Sequence, residues 1–463
     1  MKNSVNDLNV FIIGIGGIGM SGIAEILLSI GYGVYGSDLN DSYNVKRLRE
    51  MGATVEIGHR ESNIHDKIDL VIYSAAIPKE NPEYVAAKQK QLPIMRRAEI
   101  IAELMRLKKG IAIAGTHGKT TTTSFVSTIL HEAKLDPTCL VGGIVRFLKS
   151  NARVGEGDFI LVEADESDGA FLSYNPVYSV VTNIDDDHID HYGSVEEIEK
   201  AFLKFVNNVA FFGKSILNID DEKIRAMVPG IKKPWVSISV HESGIENEAD
   251  YIAKNIIVDE THSSFDIECK SGETYKAQVN LPGRHNVYNA LSSFALCNEI
   301  GIDPKVILSA LKSFEGVGRR FERVFVEEKK VVIDDYAHHP SEVVNCLGTA
   351  RRAFQNREVV AVFEPHRYTR TQQCWDQFLH CFNDVDKVYI LPIYPASEAP
   401  IPGISTDNLV RDINKLHPEL AVAVPSFDET LNQLMDDKSD KAVVCMGAGK
   451  IGREISLWAS SKK

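Results

Sequence analysis

Apolar runs that end in a glycine-rich turn and continue into a helical segment constrain the fold of this chain most strongly. Val10–Ile13 is such a run, and Gly14, Gly16 and Gly19 follow it before apolar residues at helical spacing. A strand, a tight turn and a helix in this order let the backbone approach a phosphate, and the helix start favours negative charge. The pattern predicts a nucleotide-binding unit, in which Asp38 at the end of the next apolar run meets ribose hydroxyls.

A second turn of this kind lies in GIAIAGTHGKTTTTS, residues 110–124. In a loop of this pattern, backbone N–H groups cradle phosphate oxygens, the lysine faces the β and γ phosphates, and the next hydroxyl binds Mg²⁺. Lys119 and Thr120 occupy these positions, although Ile113 stands where the strict pattern has a further glycine. The turn predicts an ATP site, for which a hydride-transfer enzyme has no use. The alternative for Thr120–Thr123 is an ordinary polar helix start.

Short apolar runs alternate with amphipathic segments over most of the 463 residues. This alternation is typical of the α/β class, in which parallel sheets are covered by helices. The runs form three blocks, which predict three domains with mainly parallel sheets at residues 1–98, 99–314 and 315–463. We expect the polar segment 242–278 to form an antiparallel appendage to the middle sheet.

Net charge, cysteine usage and hydropathy argue against several classes of protein. The formal net charge of −13 argues against a nucleic-acid or anionic-membrane surface, so a polyanionic ligand needs local binding sites. The 7 cysteines are scattered without a CxxC pair, which indicates neither a disulfide framework nor a zinc cluster and fits a reducing, cytoplasmic setting. The nearly uncharged stretch 10–36 contains Glu25 and many glycines, so we interpret it as a strand and a helix rather than a membrane span.

Two apolar runs of the middle block end in acidic clusters, VEADESD at 162–168 and TNIDDDHIDHYG at 182–193. Ligands of open α/β sheets bind at the carboxyl ends of the strands. Mg²⁺ prefers oxygen ligands and usually takes only one or two carboxylates, with phosphate and water as the others. We therefore expect metal roles for Glu163 and His188, which stand just beyond their strands. For most of the other acidic residues, Glu166 among them, the ordinary interpretation is a solvated loop.

Nine short blocks extend over the whole chain: GIGGIGMSGIAE, AGTHGKTTTTS, VEADESDGAFL, TNIDDDHIDHYG, LPGRHNVYNALS, GVGRRFE, DDYAHHPSEV, FEPHRYTRT and MGAGKI. Together and in this order they resemble the Mur ligase family, whereas the first two alone are not specific. The resemblance implies a Rossmann-like domain that holds a UDP-sugar and a central P-loop ATPase domain. It also implies a Rossmann-like C-terminal domain that binds the amino acid and closes over the active site.

The resemblance further implies an ATP-dependent amide ligase of peptidoglycan precursor synthesis. The lactyl carboxylate of UDP-N-acetylmuramate would form an acyl phosphate with ATP, and the amine of L-alanine would displace the phosphate. Mg²⁺ would assist as two ions, with Mn²⁺ as a substitute, and no nucleic acid or membrane would take part.

Three alternatives stay open. Within the family, a recycling ligase adds a whole murein tripeptide to the same UDP-sugar. Outside it, an NAD-dependent oxidoreductase is supported only by the first glycine turn and Asp38. A non-catalytic nucleotide sensor would leave Lys119, Glu163 and His188 unexplained.

Residue roles follow from the resemblance, position by position. The ATP set is Gly115, Thr116, His117, Gly118, Lys119, Thr120, Thr121, His285, Asn286, Asn289, Arg320 and Asp335. The UDP-sugar set is Gly14, Gly16, Gly17, Gly19, Ser37, Asp38, His59 and Ser74. The metal set is Thr120, Glu163 and His188, and the amino-acid set is Tyr336, His338, Arg367 and Arg370.

The residues expected to act in the reaction itself are Lys119, Glu163, His188, His338, Arg367 and Arg370. His338 is the candidate proton acceptor for the amine. Paired guanidinium groups suit a carboxylate because they bind it bidentately. The alternatives are that the arginines of EPHRYTRT begin a solvated helix and that GVGRR is a charged linker.

Overall fold

The structure is a computed structural model, and it describes residues 8–74, 77–145, 150–167, 169–185, 192–241, 249–396 and 398–462. These residues form three mainly parallel sheets flanked by helices, which confirms the predicted α/β class. The chain divides into two compact units. The first comprises Met1–Asn255, Phe265–Gln278 and Tyr288–Glu315, and the second comprises Ile256–Ser264, Val279–Val287 and Gly316–Lys463.

The first sheet has five parallel strands in the order β3-β2-β1-β4-β5. The strands are β1 (Asn9–Ile13), β2 (Gly33–Asp38), β3 (Thr54–Ile57), β4 (Leu70–Tyr73) and β5 (Ile94–Arg96). The helices are α1 (Ile18–Ser29), α2 (Tyr43–Glu50), α3 (Pro82–Gln89) and α4 (Arg97–Arg106). Strand order reverses between β1 and β4, so the carboxyl ends of these two strands flank the crevice where ligands of such sheets bind.

The middle sheet has ten strands in the order β15-β14-β13-β12-β11-β10-β6-β9-β7-β8. The strands are β6 (Lys109–Ala114), β7 (Thr138–Val145), β8 (Ser150–Arg153), β9 (Phe159–Glu163), β10 (Tyr178–Val181), β11 (Lys214–Asn218), β12 (Trp235–Val240), β13 (Tyr251–Val258), β14 (Ser263–Cys269) and β15 (Thr274–Val279). The helices are α5 (Lys119–Glu132), α6 (Val195–Asn207), α7 (Glu222–Met227), α8 (Arg284–Ile300) and α9 (Pro304–Ser313).

The segment expected to be an antiparallel appendage is partly different from the prediction. β13 pairs in parallel with β12, with Ile238 opposite Tyr251, so it continues the parallel sheet. The prediction was therefore wrong for β13, because the alternation within a strand does not determine the direction of its partner. The connections 259–262 and 270–273 are too short for a crossover, so β14 and β15 run antiparallel to their neighbours. Residues 242–248 of that segment lie outside the described part.

The third sheet has six strands in the order β16-β17-β21-β18-β19-β20. The strands are β16 (Glu322–Val326), β17 (Lys330–Asp335), β18 (Glu358–Phe363), β19 (Lys387–Ile390), β20 (Ala421–Ala423) and β21 (Lys441–Met446). The helices are α10 (Pro340–Ala353), α11 (Tyr368–Gln373), α12 (Trp375–Phe378), α13 (Thr406–Leu416), α14 (Phe427–Asp436) and α15 (Ile451–Ser461). β16 pairs antiparallel with β17, and the other strands pair in parallel.

Local sequence explains why these elements form. Ile111–Ala114 of β6 is fully buried, as expected for a central strand that helices cover on both faces. Ser194 begins α6 by accepting a hydrogen bond from the N–H of Glu197, and the helix then buries one apolar face. Each fully buried phenylalanine of that face, such as Phe202, contributes about 1.5–3 kcal/mol to folding. Of the described helices, none is long and apolar enough to cross a bilayer.

Candidate active site

The first glycine turn, Gly14–Gly19, connects β1 to α1 and is tied to the end of β2. The N–H groups of Gly14 and Ile15 donate to the carbonyl oxygen of Ser37 at 2.8 and 2.9 Å. The N–H of Gly16 donates to Oδ2 of Asp38 at 2.9 Å. Asp38, predicted to meet ribose, therefore uses one carboxylate oxygen to fix the turn itself, and its contact with a sugar stays a prediction.

The other residues assigned to the UDP-sugar lie at the same carboxyl edge of the first sheet. Ser37 belongs to the end of β2, His59 follows β3, and Ser74 follows β4. Oγ of Ser37 lies 2.9 Å from Nδ1 of His59, so the structure brings these two side chains together. Because Gly17 begins α1 as its N-cap, the turn presents a helix start to this edge.

The second glycine turn, Gly115–Lys119, connects β6 to α5 and has a backbone that only glycine adopts easily. Gly115 has a φ of +130°, and a Cβ there would lie 2.0 Å from Oγ1 of Thr182. The N–H groups of Thr116 and His117 donate to the carbonyl and side-chain oxygens of Asn183 at 3.0 and 2.8 Å. The first N–H groups of α5 have no intrahelical acceptor, so the helix start can receive an anion.

Lys119 is held inside the second glycine turn by three oxygen atoms. Nζ donates to the carbonyl oxygens of Gly115 and Thr116 at 2.6 and 3.0 Å and to Oε1 of Glu166 at 2.8 Å. Burial, the largest single effect, lowers the pKa of Lys119, but the negative charges of Glu166 and its acidic neighbours together raise this pKa above its ordinary value. The lysine therefore keeps its charge.

Glu166 corrects one interpretation of the sequence. It was expected in a solvated acidic loop, yet only 3 % of its side chain is exposed and it forms an ion pair with Lys119. Alternation of charged residues after β9 indicated solvent, whereas the fold buries Glu166 between the partly exposed Asp165 and Ser167. No local pattern distinguishes Glu166 from its acidic neighbours.

Thr120 and Glu163 meet beside Lys119. Oγ1 of Thr120, at the start of α5, donates to Oε1 of Glu163, at the end of β9, at 2.9 Å. Two hard oxygen ligands next to a phosphate turn fit Mg²⁺, which takes its other ligands from phosphate and water. No group of three or more His, Cys, Asp or Glu side chains placed to hold a metal occurs in the described ranges. His188 lies outside the described residues, so its metal role is not tested.

Asn289 and His117 complete the described surroundings of the second turn. A Cβ on Gly118 would lie 2.4 Å from Oδ1 of Asn289, which also accepts a hydrogen bond from Oγ1 of Thr122 at 3.3 Å. Nε2 of His117 lies 3.1 Å from Oδ2 of Asp185. Thr121, also assigned to ATP, is a buried residue of α5. The structure thus brings together the ATP residues of the first unit.

The sequence analysis did not select Arg97, the first residue of α4, as a site residue. Its Nη2 lies 3.7 Å from Oδ2 of Asp165, two residues beyond Glu163. A Cβ on Gly19 would lie 2.5 Å from its Nη1, so the guanidinium lies against the first turn of α1. One arginine is therefore adjacent to both glycine-turn regions of the first unit. Its contacts join residues that are distant in the sequence, and no sequence motif indicated them.

The remaining ATP residues, His285, Asn286, Arg320 and Asp335, belong to the second unit. Burial, assisted by nearby arginine charges, lowers the pKa of His285 to about 4, so this ring is neutral at pH 7. Nδ2 of Asn286 donates to the carbonyl oxygen of Pro282 at 2.8 Å.

Asp335 ends β17 and organises the backbone around it. Its two carboxylate oxygens accept hydrogen bonds from the N–H groups of Phe321 and Ala337, each at 2.8 Å. Burial raises the pKa of Asp335, although the charge of Arg320 opposes this effect. The structure thus brings Arg320 and Asp335 together.

Tyr336, His338 and Arg370 also come together in the second unit, through His366, which the sequence analysis did not select. The ring centroid of His338 lies 5.4 Å from that of Tyr336 and 6.0 Å from that of His366. Nη1 of Arg370 lies 3.3 Å from Nδ1 of His366. Because His366 directly precedes Arg367 in EPHRYTRT, the motif itself contained the signal.

His338 and Arg367 of the amino-acid set differ in exposure and hydrogen bonding. Nδ1 of His338 donates to the carbonyl oxygen of Tyr336 at 2.9 Å, which leaves Nε2 as a proton acceptor. Burial lowers the pKa of His338, so the ring is neutral at pH 7. Arg367 is exposed and has a φ of +72°, a strained value for a residue with a side chain.

A third glycine turn, Gly447–Lys450, connects β21 to α15 in MGAGKI. Its helix start already holds a carboxylate, because Oε2 of the fully buried Glu364 accepts a hydrogen bond from the N–H of Ile451 at 3.2 Å. A Cβ on Gly449 would lie 2.4 Å from the same oxygen. This turn therefore binds an anion of its own chain.

Three family models match consecutive parts of the chain. The model described as "Mur ligase family, catalytic domain" matches residues 9–109, and "Mur ligase middle domain" matches residues 113–297. The model described as "Mur ligase, glutamate ligase domain" matches residues 319–449. Together these matches extend over most of the chain.

Relatives are similar over the whole length. UDP-N-acetylmuramate--L-alanine ligase of Solidesulfovibrio magneticus is 44 % identical over 466 residues, which cover 100 % of this chain and 100 % of the relative. The protein of the same name from Hydrogenobaculum sp. is 45 % identical and covers 97 % of this chain and 98 % of its own.

Solved structures agree with this similarity. The crystal structure of UDP-N-acetylmuramate-alanine ligase from Thermotoga maritima has a TM-score of 0.80 and 30 % identity, and covers 98 % of this chain and 100 % of its own. A murein peptide ligase from Psychrobacter arcticus, 24 % identical with a TM-score of 0.70, covers 98 % of both chains and shares the fold. Matches of this extent and identity show that the chain belongs to the Mur ligase family.

Proposed function

We propose that this protein joins L-alanine to UDP-N-acetylmuramate in an ATP-dependent reaction of peptidoglycan precursor synthesis. An oxygen of the lactyl carboxylate attacks the γ-phosphorus of ATP, ADP leaves, and an acyl phosphate forms. The amine of L-alanine then attacks the acyl carbon, loses a proton and expels inorganic phosphate, which leaves an amide. The observation that carries the ATP half is the geometry of the second glycine turn, where Lys119 lies beside the Thr120–Glu163 pair.

Similarity to named relatives favours L-alanine over a tripeptide as the second substrate. The relatives named UDP-N-acetylmuramate--L-alanine ligase are 44 and 45 % identical to this chain over nearly all of its length. The murein peptide ligase of Psychrobacter arcticus is 24 % identical, which supports the fold alone. An oxidoreductase function has no support beyond the first glycine turn and Asp38, and the Mur ligase family, to which the chain belongs, is ATP-dependent.

Lys119 is proposed to neutralise the β and γ phosphates of ATP. Glu166 stabilises its charge, and the phosphates would replace Glu166 and the two carbonyl groups as its partners. Positioning and charge neutralisation supply most of the catalysis in phosphoryl transfer. His117 and Asn289 lie at the same turn, whereas His285, Asn286, Arg320 and Asp335 of the second unit stay proposed ATP residues.

Thr120 and Glu163 are proposed to hold Mg²⁺, with His188 as a further ligand of a second ion. When bound, the ion would neutralise phosphate charge in the transition state. Thr120 and Glu163 contribute two oxygen ligands that already lie 2.9 Å apart, so little side-chain movement is needed. The number of ions and the use of Mn²⁺ stay part of the proposal.

Arg370 and His338 are proposed to act on L-alanine, together with Tyr336 and Arg367. A guanidinium binds a carboxylate bidentately, and Arg370 is fixed near His366. Neutral His338, with Nδ1 occupied by a carbonyl oxygen, has Nε2 available to accept a proton from the amine. The exposed Arg367 would contact the carboxylate of the amino acid together with Arg370.

We also propose that the domain boundaries lie near residues 98 and 314 and that the protein acts in the cytoplasm on small molecules alone. Its net charge of −13 fits neither a nucleic acid nor an anionic membrane surface as partner. The substrates named above are all phosphorylated or charged small molecules.

Phosphate release from MgATP tests the proposed function. With UDP-N-acetylmuramate present, we expect L-alanine to start phosphate release and the murein tripeptide to have little effect. Release that requires the tripeptide would instead identify the recycling reaction. Release that does not depend on the UDP-sugar would contradict both.

A further inference from the structure

Glu83 is a fully buried carboxylate in the first turn of α3 that the proposed roles leave unused. Its Oε2 accepts a hydrogen bond from Oγ of Ser37 at 2.6 Å and lies 2.8 Å from Nδ1 of His59. Its Oε1 accepts a hydrogen bond from Nδ2 of the buried Asn63 at 2.6 Å. A buried carboxylate that is satisfied on both oxygens is costly to keep for packing alone, because it must be desolvated.

Among the described residues, His59 is the basic side chain that contacts this carboxylate. In the part of the chain that the structure describes, no lysine or arginine forms an ion pair with Glu83, whereas His59 does, with 14 % of the imidazole side chain exposed. Since a carboxylate is an acceptor, the Nδ1–H of the ring faces Glu83. The second ring nitrogen, Nε2, is then the one with which His59 can meet a ligand.

Ser37 connects this pair to the first glycine turn. Its hydroxyl donates to Glu83, while its carbonyl oxygen accepts the N–H groups of Gly14 and Ile15. His59 and the turn are therefore anchored on one residue at the carboxyl edge of β2. A diphosphate is the part of a UDP-sugar that a glycine turn and helix start bind.

We propose that Glu83 is a positioning residue for the UDP-sugar: it holds His59 by Nδ1, so that Nε2–H donates to a phosphate oxygen. A ring that lies between a carboxylate and a phosphate donates to both, and each hydrogen bond is charge-assisted. Asn63 and Ser37 fix the carboxylate, and the carboxylate fixes the ring. This inference rests on the proposed function, because it needs a UDP-sugar at the first glycine turn.

Other charged groups near His59 are engaged elsewhere. Asp38 directs Oδ2 to the N–H of Gly16, and the guanidinium of Arg60 donates to the carbonyl oxygen of Ile57 at 2.7 Å. The backbone N–H of Arg60 points to Oε1 of Glu83 at 3.4 Å. Glu83 is thus the charged side chain in contact with the ring of His59.

Calorimetric titration of the whole enzyme with UDP-N-acetylmuramate, in the absence of ATP, tests this assignment. For Glu83→Gln we expect about tenfold weaker binding, the effect of one lost charge-assisted hydrogen bond.

Glu80→Gln is the matched control, because Glu80 is an exposed carboxylate three residues before Glu83. It should bind the UDP-sugar as the wild type does. In Glu83→Gln, the KM for the UDP-sugar should rise while the KM for ATP and kcat stay within about twofold.

His59→Asn keeps the test valid if Glu83→Gln folds poorly. This variant should also bind the UDP-sugar more weakly, and adding Glu83→Gln to it should cost no further affinity. A further tenfold loss in the double variant, or unchanged binding in Glu83→Gln, would overturn the inference while leaving the proposed function intact. A wild-type enzyme that does not bind the UDP-sugar would overturn the proposed function itself.

Discussion

The second and third glycine turns have similar sequences and different contents. Both follow a buried parallel strand, carry two glycines and a lysine, and begin a helix, as AGTHGK in one and MGAGK in the other. At the third turn, the carboxylate of Glu364 occupies the helix start and accepts the N–H of Ile451. At the second turn, the buried carboxylate is that of Glu166, and it binds Lys119 rather than the helix start.

This difference shows that a glycine–lysine turn is a potential anion site, and that the surrounding side chains decide which anion it receives. Lys119 is buried and forms an ion pair with Glu166, with 15 % of its side chain exposed. Lys450 is 57 % exposed and lies 3.4 Å from Glu454 on its own helix. Only the lysine of the second turn is placed where it can face a phosphate on the same helix start.

Replacement of the lysine of the second turn and, separately, of the third turn should give the largest difference in kcat. For Lys119→Ala we expect kcat to fall about 10³-fold, because a preorganised positive charge on the transferring phosphoryl group is lost. For Lys450→Ala we expect kcat within about twofold of the wild type, since an exposed ion pair is worth little. Phosphate release measures both.

Binding of UDP-N-acetylmuramate serves as the control for these two variants. It should survive in Lys119→Ala, because the UDP-sugar is assigned to the first glycine turn. Equal loss of sugar binding and turnover would show that the division of labour between the first two turns is wrong.

Addition of a methyl group at Gly115 should have the next largest effect, on stability and on ATP binding. Gly115→Ala combines a φ of +130° with a Cβ 2.0 Å from Oγ1 of Thr182, so we expect about 3 kcal/mol lower free energy of unfolding and loss of ATP binding. Gly403→Ala has a φ of +84° but nothing within 4 Å, so it isolates the backbone strain of about 1–2 kcal/mol. Urea unfolding compares the two, and equal losses would mean that the close contact at the turn relaxes freely.

Much of this architecture was predictable from local pattern. β1 and β6 appear where apolar runs indicated strands. The first and second glycine turns and the helices that follow them appear where glycines and helical spacing indicated. Thr120 and Glu163 were also predicted together, because both stand at the same edge of neighbouring elements.

Contacts between distant residues were not predictable in this way. Glu166, Glu83 and Arg97 look like ordinary charged residues in the sequence, and only the packed fold buries them or brings them to a glycine turn. The parallel pairing of β13 with β12 likewise depends on tertiary context rather than on the alternation within β13. Charge and periodicity do not encode the partner of a buried polar group.

Neutralising the acid of the second turn should have a smaller effect than removing its lysine. In Glu166→Gln the amide releases Lys119 and removes a negative charge beside the phosphates, so we expect about fivefold tighter binding of ATP to the free enzyme. Titration of the enzyme with a non-hydrolysable ATP analogue measures this change. The exposed Glu132→Gln, at the other end of the same helix, is the matched control. Weaker binding in Glu166→Gln would mean that Glu166 holds Lys119 in its working position rather than competing with ATP.

Neutralising the acid of the third turn should change stability and leave catalysis intact. Burial raises the pKa of Glu364 above its usual 4.5, so the folded protein binds this proton more tightly than the unfolded chain does. As pH rises from about 4.5 through the raised pKa, the wild type loses this contribution to its free energy of unfolding, and Glu364→Gln does not. Relative to the wild type, the variant should therefore gain free energy of unfolding in urea as pH rises from 4.5 to 8. A difference that moves the other way would show that the helix start of α15 favours the charged carboxylate more than burial penalises it, and the third turn would then resemble an occupied phosphate site more closely than we infer.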